Sequence, residues 1–408
     1  MFFKIAFRNI WRNRLRTMIT AGSIFFAVLF ASFMNSFQKG SWERMLDNII
    51  YFYYGYIQIH KNGYWEDKSI DNSMVFSEKL MKLPESIKGI SGVTPRLESF
   101  ALASVGNQTS GMLIVGTDPQ KENELTNLED RIIDGKYLTA GDSGIIIAEG
   151  VMQTLKTKVG DTLTLISQGF HGVNAAGMYK IAGIVRFTSP DLNKRMIYMP
   201  LSQAQIFFDA PEMVSSVALK LDNKNRMKFV QNELRKQFPE NEYEIMNWKQ
   251  MLPELVDAQK TDAAGNYIIL VVLYGIIAFG IFGTILMMTV ERRYEFGVQI
   301  SIGMKRKFLA FIVWLETAMI GLIGSILGIL GSIPLVYYFH INPINFSDYD
   351  DKMSGAFEKW GFDPIIPTAF QMDLFLYQAL IVLLITTILA FYAVYKVMTL
   401  KPVEAMHG

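Results

Sequence analysis

The sequence predicts a membrane protein of four transmembrane α-helices with a large α+β extracytoplasmic domain between the first and the second. Three observations predict it. Four apolar runs, at 18–37, 267–290, within 308–339 and at 372–395, each reach the roughly 20 residues that cross a bilayer about 30 Å thick. Residues 55–265, between the first two runs, have the composition of a soluble protein and no comparable apolar stretch. The short connection at 291–307 gathers Arg292, Arg293, Lys305, Arg306 and Lys307, as loops on the cytoplasmic side do.

Taken in order, residues 1–15 form an amphipathic helix. Phe3, Phe7, Ile10 and Trp11 share one face, and Lys4, Arg8 and Arg12 share another, the pattern of a helix lying along the inner membrane surface. The first span, 16–39, lacks a small-residue cleavage site and reads as a retained anchor running outward. Its helical pattern continues through Trp42, Met45, Leu46, Ile49 and Ile50, as a stalk for the outer domain at 40–265. Short runs rich in branched and aromatic residues predict strands at 56–60, 101–105, 111–115, 145–148, 162–166, 178–185 and 217–221. Helices are predicted at 77–83, 150–156, 201–208 and 225–238, an interleaving that fits α+β. From 244 to 265 the pattern is helical again, giving a second stalk with Pro253 as a kink.

The second span is 266–290, where Gly275, Gly280 and Gly283 permit close helix contact. The third, 308–339, places Gly321, Gly324, Gly328 and Gly331 on one stripe for intimate packing. It also carries the acid Glu316, an intramembrane carboxylate. A structural or coupling role, with Arg306 or Lys307 reaching it, is weighed against a proton or substrate site. An outer segment at 340–371 is acidic through Asp348, Asp350, Asp351, Glu358 and Asp363, with Trp360 and Phe362 suited to the membrane interface. The fourth span, 372–395, returns to an inner tail at 396–408, which leaves both termini in the cytoplasm.

The residues exclude several chemistries. Net charge is +1, so no basic field for nucleic acid exists. There is no cysteine, hence no disulfide, thiolate metal site or cysteine nucleophile. The four histidines are scattered, without metal-ligand spacing. No phosphate-binding loop or nucleophile elbow occurs. The chain is therefore expected to be non-catalytic, with no metal or cofactor of its own.

The loop at 291–307 holds the most informative residues. Its apolar Phe296, Val298, Ile300 and Ile302 need a partner, and a topology-setting loop competes with a coupling helix that docks on a cytoplasmic protein. Glu291, Arg292 and Arg293, then Glu295, Phe296 and Gly297, then Ile302, Gly303 and Lys305, resemble the FtsX-like permease family of ABC transporters. Met304 departs from the small residue usual there. The opening KIAFRNIWRNRLRT, the turns Gly116-Thr117-Asp118-Pro119 and Val159-Gly160-Asp161, and the ending Pro402-Val403-Glu404-Ala405 extend the resemblance along the chain.

The resemblance implies a type VII ABC transporter permease-like fold in the bacterial inner membrane. It implies that the 291–307 loop contacts a cytoplasmic ABC ATPase dimer, which binds the ATP and Mg. It also implies a second permease copy or a related permease. The expected work is extraction of lipoprotein or other lipophilic cargo from the outer leaflet. The alternatives are efflux of peptides or drugs with an outer-membrane component, or signalling that activates a cell-wall hydrolase. At 167–177 permeases of the LolC type carry a protruding loop that recruits a carrier. Here the stretch SQGFHGVNAAG, with Phe170 exposed beside His171, reads either as such a contact or as a plain hairpin loop.

Overall fold

The computed structural model of the chain describes residues 2–12, 14–187, 189–346 and 365–407. The acidic stretch from Asp348 to Asp363, with Trp360 and Phe362, lies outside them. The chain divides into a membrane unit, Met1–Glu43 with Gln259–Asn345 and Ile365–Gly408, and an outer unit formed mainly by Arg44–Ala258.

In the membrane unit, helix α1 (Phe2–Arg12) buries Ala6 and Ile10 and leaves Phe3, Phe7 and Trp11 exposed. That apolar face is the one expected to meet lipid. Among the described residues, four helices are long and apolar enough to cross a membrane: α2 (Arg14–Ile49), α3 (Pro253–Glu291), α5 (Arg306–Ile341) and α6 (Met372–Thr399). Between α3 and α5 lies α4 (Arg293–Ser301), and α7 (Pro402–His407) ends the chain.

Helix α5 is the hub. A Cβ at Gly324 would sit 2.7 Å from Ile24, at Gly328 2.6 Å from Val28, and at Gly331 2.6 Å from Phe25, all on α2. At Gly321 it would meet Thr386 of α6 at 3.0 Å. The glycine stripe thus serves two neighbours, which periodicity could not say. Gly275, Gly280 and Gly283 meet nothing within 4 Å, so the close contact expected of span two is not made within the chain. Span two is also the least covered helix, with 17% of its apolar window buried against 39% for each of the others.

The outer unit is built on one ten-stranded sheet. Its strands are β1 (Ile57–Lys61), β2 (Ile90–Val105), β3 (Gln108–Thr117), β4 (Ile132–Gly135), β5 (Ile145–Ala148), β6 (Thr162–Gln168), β7 (Asn174–Val185), β8 (Met196–Pro200), β9 (Ser216–Leu221) and β10 (Tyr243–Asn247). The pairings β2–β3, β3–β8, β8–β5, β5–β7, β7–β6 and β6–β2 close into a ring. β4 adds to β7, and β9, β1 and β10 extend the sheet from the start of β2. Residues such as Leu97, Met112, Ile147, Leu165 and Ile197 fill the ring. Ile57, Ile59, Val217, Leu219 and Leu234 form a second core under the extension. Burial of this apolar area is the main force holding each lobe.

Two expectations are corrected. Residues 244–247 form strand rather than stalk, because β10 gains backbone partners along β1. Pro253 does not kink a helix; it opens α3, where its missing N–H costs nothing.

Candidate functional site

The loop between the second and third spans folds as the short helix α4. Arg292, at φ −91 and ψ 4, breaks the helical path between α3 and α4. Its guanidinium turns inward and grips Glu316 of α5, with Nη1 donating to Oε1 at 2.7 Å and to Oε2 at 2.8 Å. The two side chains are 5% and 2% exposed. Asn9 of α1 donates to the same carboxylate at 3.5 Å. The guanidinium also lies 5.1 Å over the Phe296 ring, itself 1% exposed, which shields the pair.

Glu295 extends the network. Its Oε2 accepts from Arg12 of α1 at 2.7 Å and stands 3.5 Å from Arg292 Nε. Three segments far apart in sequence are thus tied by charge-assisted bonds: α1, α4 and α5. The cavity beside the pair, lined by Met288, Thr289, Val313, Thr317 and Ala393 among others, is only about 10 Å³. No substrate fits there. The partner of Glu316 is Arg292, not the expected Arg306 or Lys307.

The sequence-predicted coupling residues separate into two sets. Arg292, Phe296 and Gly297 are buried and anchor α4, with Glu295 half-buried at the edge. Glu291, Arg293, Ile302, Gly303 and Lys305 are exposed. Gly303 has φ +108, a conformation that disfavours any side chain although nothing crowds the position. The turn it makes projects Ile302, 82% exposed. Ile302, Gly303, Met304 and Lys305 then border an open groove of about 580 Å³, closed on the other side by Phe2, Ile5 and Phe308. Met304 occupies this groove wall, so the bulkier residue enlarges an apolar surface rather than disturbing the turn. Helix α7 packs against α4. Sequence reading missed Asn9 and Arg12 as members of the site; only their helical phase, shared with Lys4 and Arg8, hinted at one polar face.

The stretch at 167–177 does not protrude. β6 and β7 run on to Gln168 and Asn174, which pair directly. The connection between them is pinned: Gly169 N–H donates to Val173 O at 2.6 Å, Phe170 N–H to Phe208 O at 2.8 Å, and His171 N–H to Asp71 Oδ1 at 2.6 Å. Phe170 is half-buried against the ring core, and His171, Gly172 and Val173 face out. Backbone pairing that Gly and Ala allow but do not advertise shortens the stretch to a hairpin connection, the plainer of the two readings.

Residues 17–237 match the MacB-like periplasmic core domain, and residues 267–402 match the FtsX-like permease C-terminal domain. The chain is 24% identical over 272 residues to the lipoprotein-releasing system transmembrane protein LolE of Haemophilus influenzae, covering 64% of each chain. It is 26% identical over 278 residues to an uncharacterized ABC transporter permease protein of Mycobacterium tuberculosis, covering 62% of this chain and 30% of that one. The matches thus span less than two thirds of either relative's length. Among solved structures, the periplasmic region of MacB from Actinobacillus actinomycetemcomitans is similar over 52% of this chain and 98% of its own, at 15% identity and a TM-score of 0.36. The extracellular domain of the Gram-positive transporter YknZ is similar over 47% and 99%, at 15% identity and a TM-score of 0.34.

Proposed function

We propose a function from one premise: the chain belongs to the FtsX-like permeases that carry a MacB-like periplasmic core domain. It is an ABC transporter permease of the MacB, LolE and FtsX type, a family of membrane subunits. The proposal concerns how it works and on what. The observation that carries it is the division of α4 into a buried clamp, Arg292–Glu316, and an exposed rim with Ile302 at its tip.

In this reading a cytoplasmic ABC ATPase dimer, holding ATP and Mg, docks on the rim. The groove beside Ile302 receives an apolar side chain, and Arg293 and Lys305 meet acidic groups at its edge. Closure of the ATPase displaces α4. Because the clamp fastens α4 to α5 and Glu295 fastens it to α1, the push moves a set of helices and not a loose loop. The outer domain follows through α2 and α3, because the last residues of α2 and the first residues of α3 belong to the outer unit. A second permease, identical or related, completes the complex in the bacterial inner membrane, with both termini in the cytoplasm.

The cargo proposed is lipoprotein or another lipophilic molecule taken from the outer leaflet, supported by the likeness to LolE over 64% of the chain. A MacB-like efflux role with an outer-membrane component is the second reading, favoured by the tight 169–173 connection, which offers no long arm for a carrier. The test is purification from native membrane of wild type and Ile302→Glu. Wild type is expected to bring down an ATPase, and Ile302→Glu to lose it with melting behaviour unchanged, since Ile302 packs on little. Equal ATPase recovery by both would sink the docking surface. A bound acylated protein would select lipoprotein release, and a periplasmic adaptor would select efflux.

A further inference from the structure

The outer unit holds a second built site that the coupling reading does not use. A cavity of about 170 Å³ opens between the segment Ile50–Tyr54, the turn around Trp65, strand β2 and the short helix Pro190–Arg195. Its walls are aromatic, with Tyr54, Tyr64, Trp65 and Phe100 among them. Ile50–Tyr54 is a π-helical turn, a rare form that presents Tyr53 and Tyr54 side by side, their rings 4.9 Å apart.

Glu98 of β2 lines this cavity. Beneath it the charges do not balance. Arg96, fully buried, donates Nε and Nη2 to Glu122 at 2.9 and 2.7 Å and Nη1 to the Tyr53 carbonyl at 2.5 Å. It approaches Glu98 Oε1 only at 3.8 Å. That oxygen is sealed from solvent and accepts no hydrogen bond. One guanidinium therefore stands between two carboxylates, and Glu122 takes its best-directed donors. The rim pair Asp191 and Arg195 is internally neutral. The remaining cation is Lys68, whose ammonium lies 3.7 Å over the Trp65 ring. Burial holds the Glu98 carboxyl above its usual range and pulls Lys68 below its own, so neither is at ease in the empty cavity.

We propose that this cavity binds an organic ammonium ion with an apolar tail, and that the Lys68 ammonium is its tethered stand-in. A carboxylate with one oxygen left without a donor, beneath aromatic faces, selects a cation over an anion. Lys68 reaches the Trp65 face on a flexible stem from an exposed position, so a ligand can displace it. The tail has a track. Phe100 and Leu102 follow Glu98 on the same side of β2, Leu102 stands opposite Ile166, and Met178 stands one pair farther along β7. All four are more than half exposed.

The test is calorimetric titration of hexyltrimethylammonium into the full chain in lipid nanodiscs, with empty nanodiscs as blank and hexanoate as the anionic control. The expected result is saturable binding of the cation and none of hexanoate. Glu98→Gln should weaken binding at least tenfold, and Lys68→Met should strengthen it severalfold by removing the competitor. Trp65→Leu, at a half-buried position, serves as a second loss variant should Glu98→Gln fail to fold. Absence of saturable binding, or an unchanged affinity in the folded loss variants, or weaker binding by Lys68→Met, overturns the proposal. ATPase recovery is a separate readout, so failure here leaves the coupling reading standing.

Discussion

Each unit buries an arginine against a glutamate, and the two solutions differ in what they leave over. In the membrane unit Arg292 and Arg12 answer Glu316 and Glu295, two charges of each sign, with Asn9 and Phe296 filling the space around the buried pair. In the outer unit Arg96 faces Glu122 and Glu98 together, and the surplus carboxylate lies against a cavity. A closed pair can only fasten. An open one retains attraction for something else. Desolvating ions is costly wherever it occurs, so the matched pair reads as a mechanical joint and the unmatched one as a binding feature.

Breaking the matched pair should give the largest effect. Arg292→Ala leaves Glu316 buried without a counter-charge, a loss expected at about 3–5 kcal/mol, read as a lowered unfolding midpoint in detergent. Arg292→Met with Glu316→Met should recover much of that stability yet not ATPase coupling. Recovery of both would show the pair is no joint.

The outer network sharpens the contrast. Glu122→Gln should cost about as much as Arg292→Ala, because it strips Arg96 of its main partner. Glu98→Gln should change stability by less than about 1 kcal/mol, since Arg96 gives its hydrogen bonds to Glu122 and approaches Glu98 only at 3.8 Å. Equal costs for the two glutamates would erase the distinction drawn between them.

Packing at the joint is a smaller lever. Gly328→Ala places a methyl 2.6 Å from Val28 and should cost about 1–3 kcal/mol by forcing α2 from α5. Gly280→Ala, with nothing within 4 Å, should be neutral or gain up to about 1 kcal/mol of helix propensity. Thermal melts of the two variants decide it.

The gentlest test uses pH. His60 is wholly buried between Tyr64 and Trp65, and its imidazole bonds Gln58 at 2.8 Å. Burial, with Lys68 nearby, lowers its pKa to about 3. The unfolded chain therefore binds the proton first. The contribution is intact above pH 6.5 and falls by up to about 1.4 kcal/mol per unit as pH drops toward 3. His60→Gln should flatten that slope in amide exchange of β1; an identical slope would refute neutral burial.

Much of this was legible beforehand. The four spans, the basic connection and the mixed outer domain were read from windows of composition, and most strand centres were placed. β4, β8 and β10 were not. β8 is Met196–Pro200, whose proline and paired methionines give a weak strand signal, yet it lies fully buried between β3 and β5. Glu316 was singled out as an intramembrane carboxylate within reach of a basic partner, but the wrong basic residues were offered to it, because proximity in sequence was the available guide.

Local composition determined the number and order of the spans, the basic connection between the second and third, and the split into membrane and outer units. Each depends on residues within about 20 positions of one another, the length over which hydrophobicity must persist to cross a bilayer. Tertiary structure alone decided which arginine answers Glu316, which helices the glycines admit, that 169–173 is pinned, and that Glu98 has a surplus charge beside an aromatic cavity. Those outcomes join residues distant in the chain, and a buried charge is satisfied or stranded only by what packs around it.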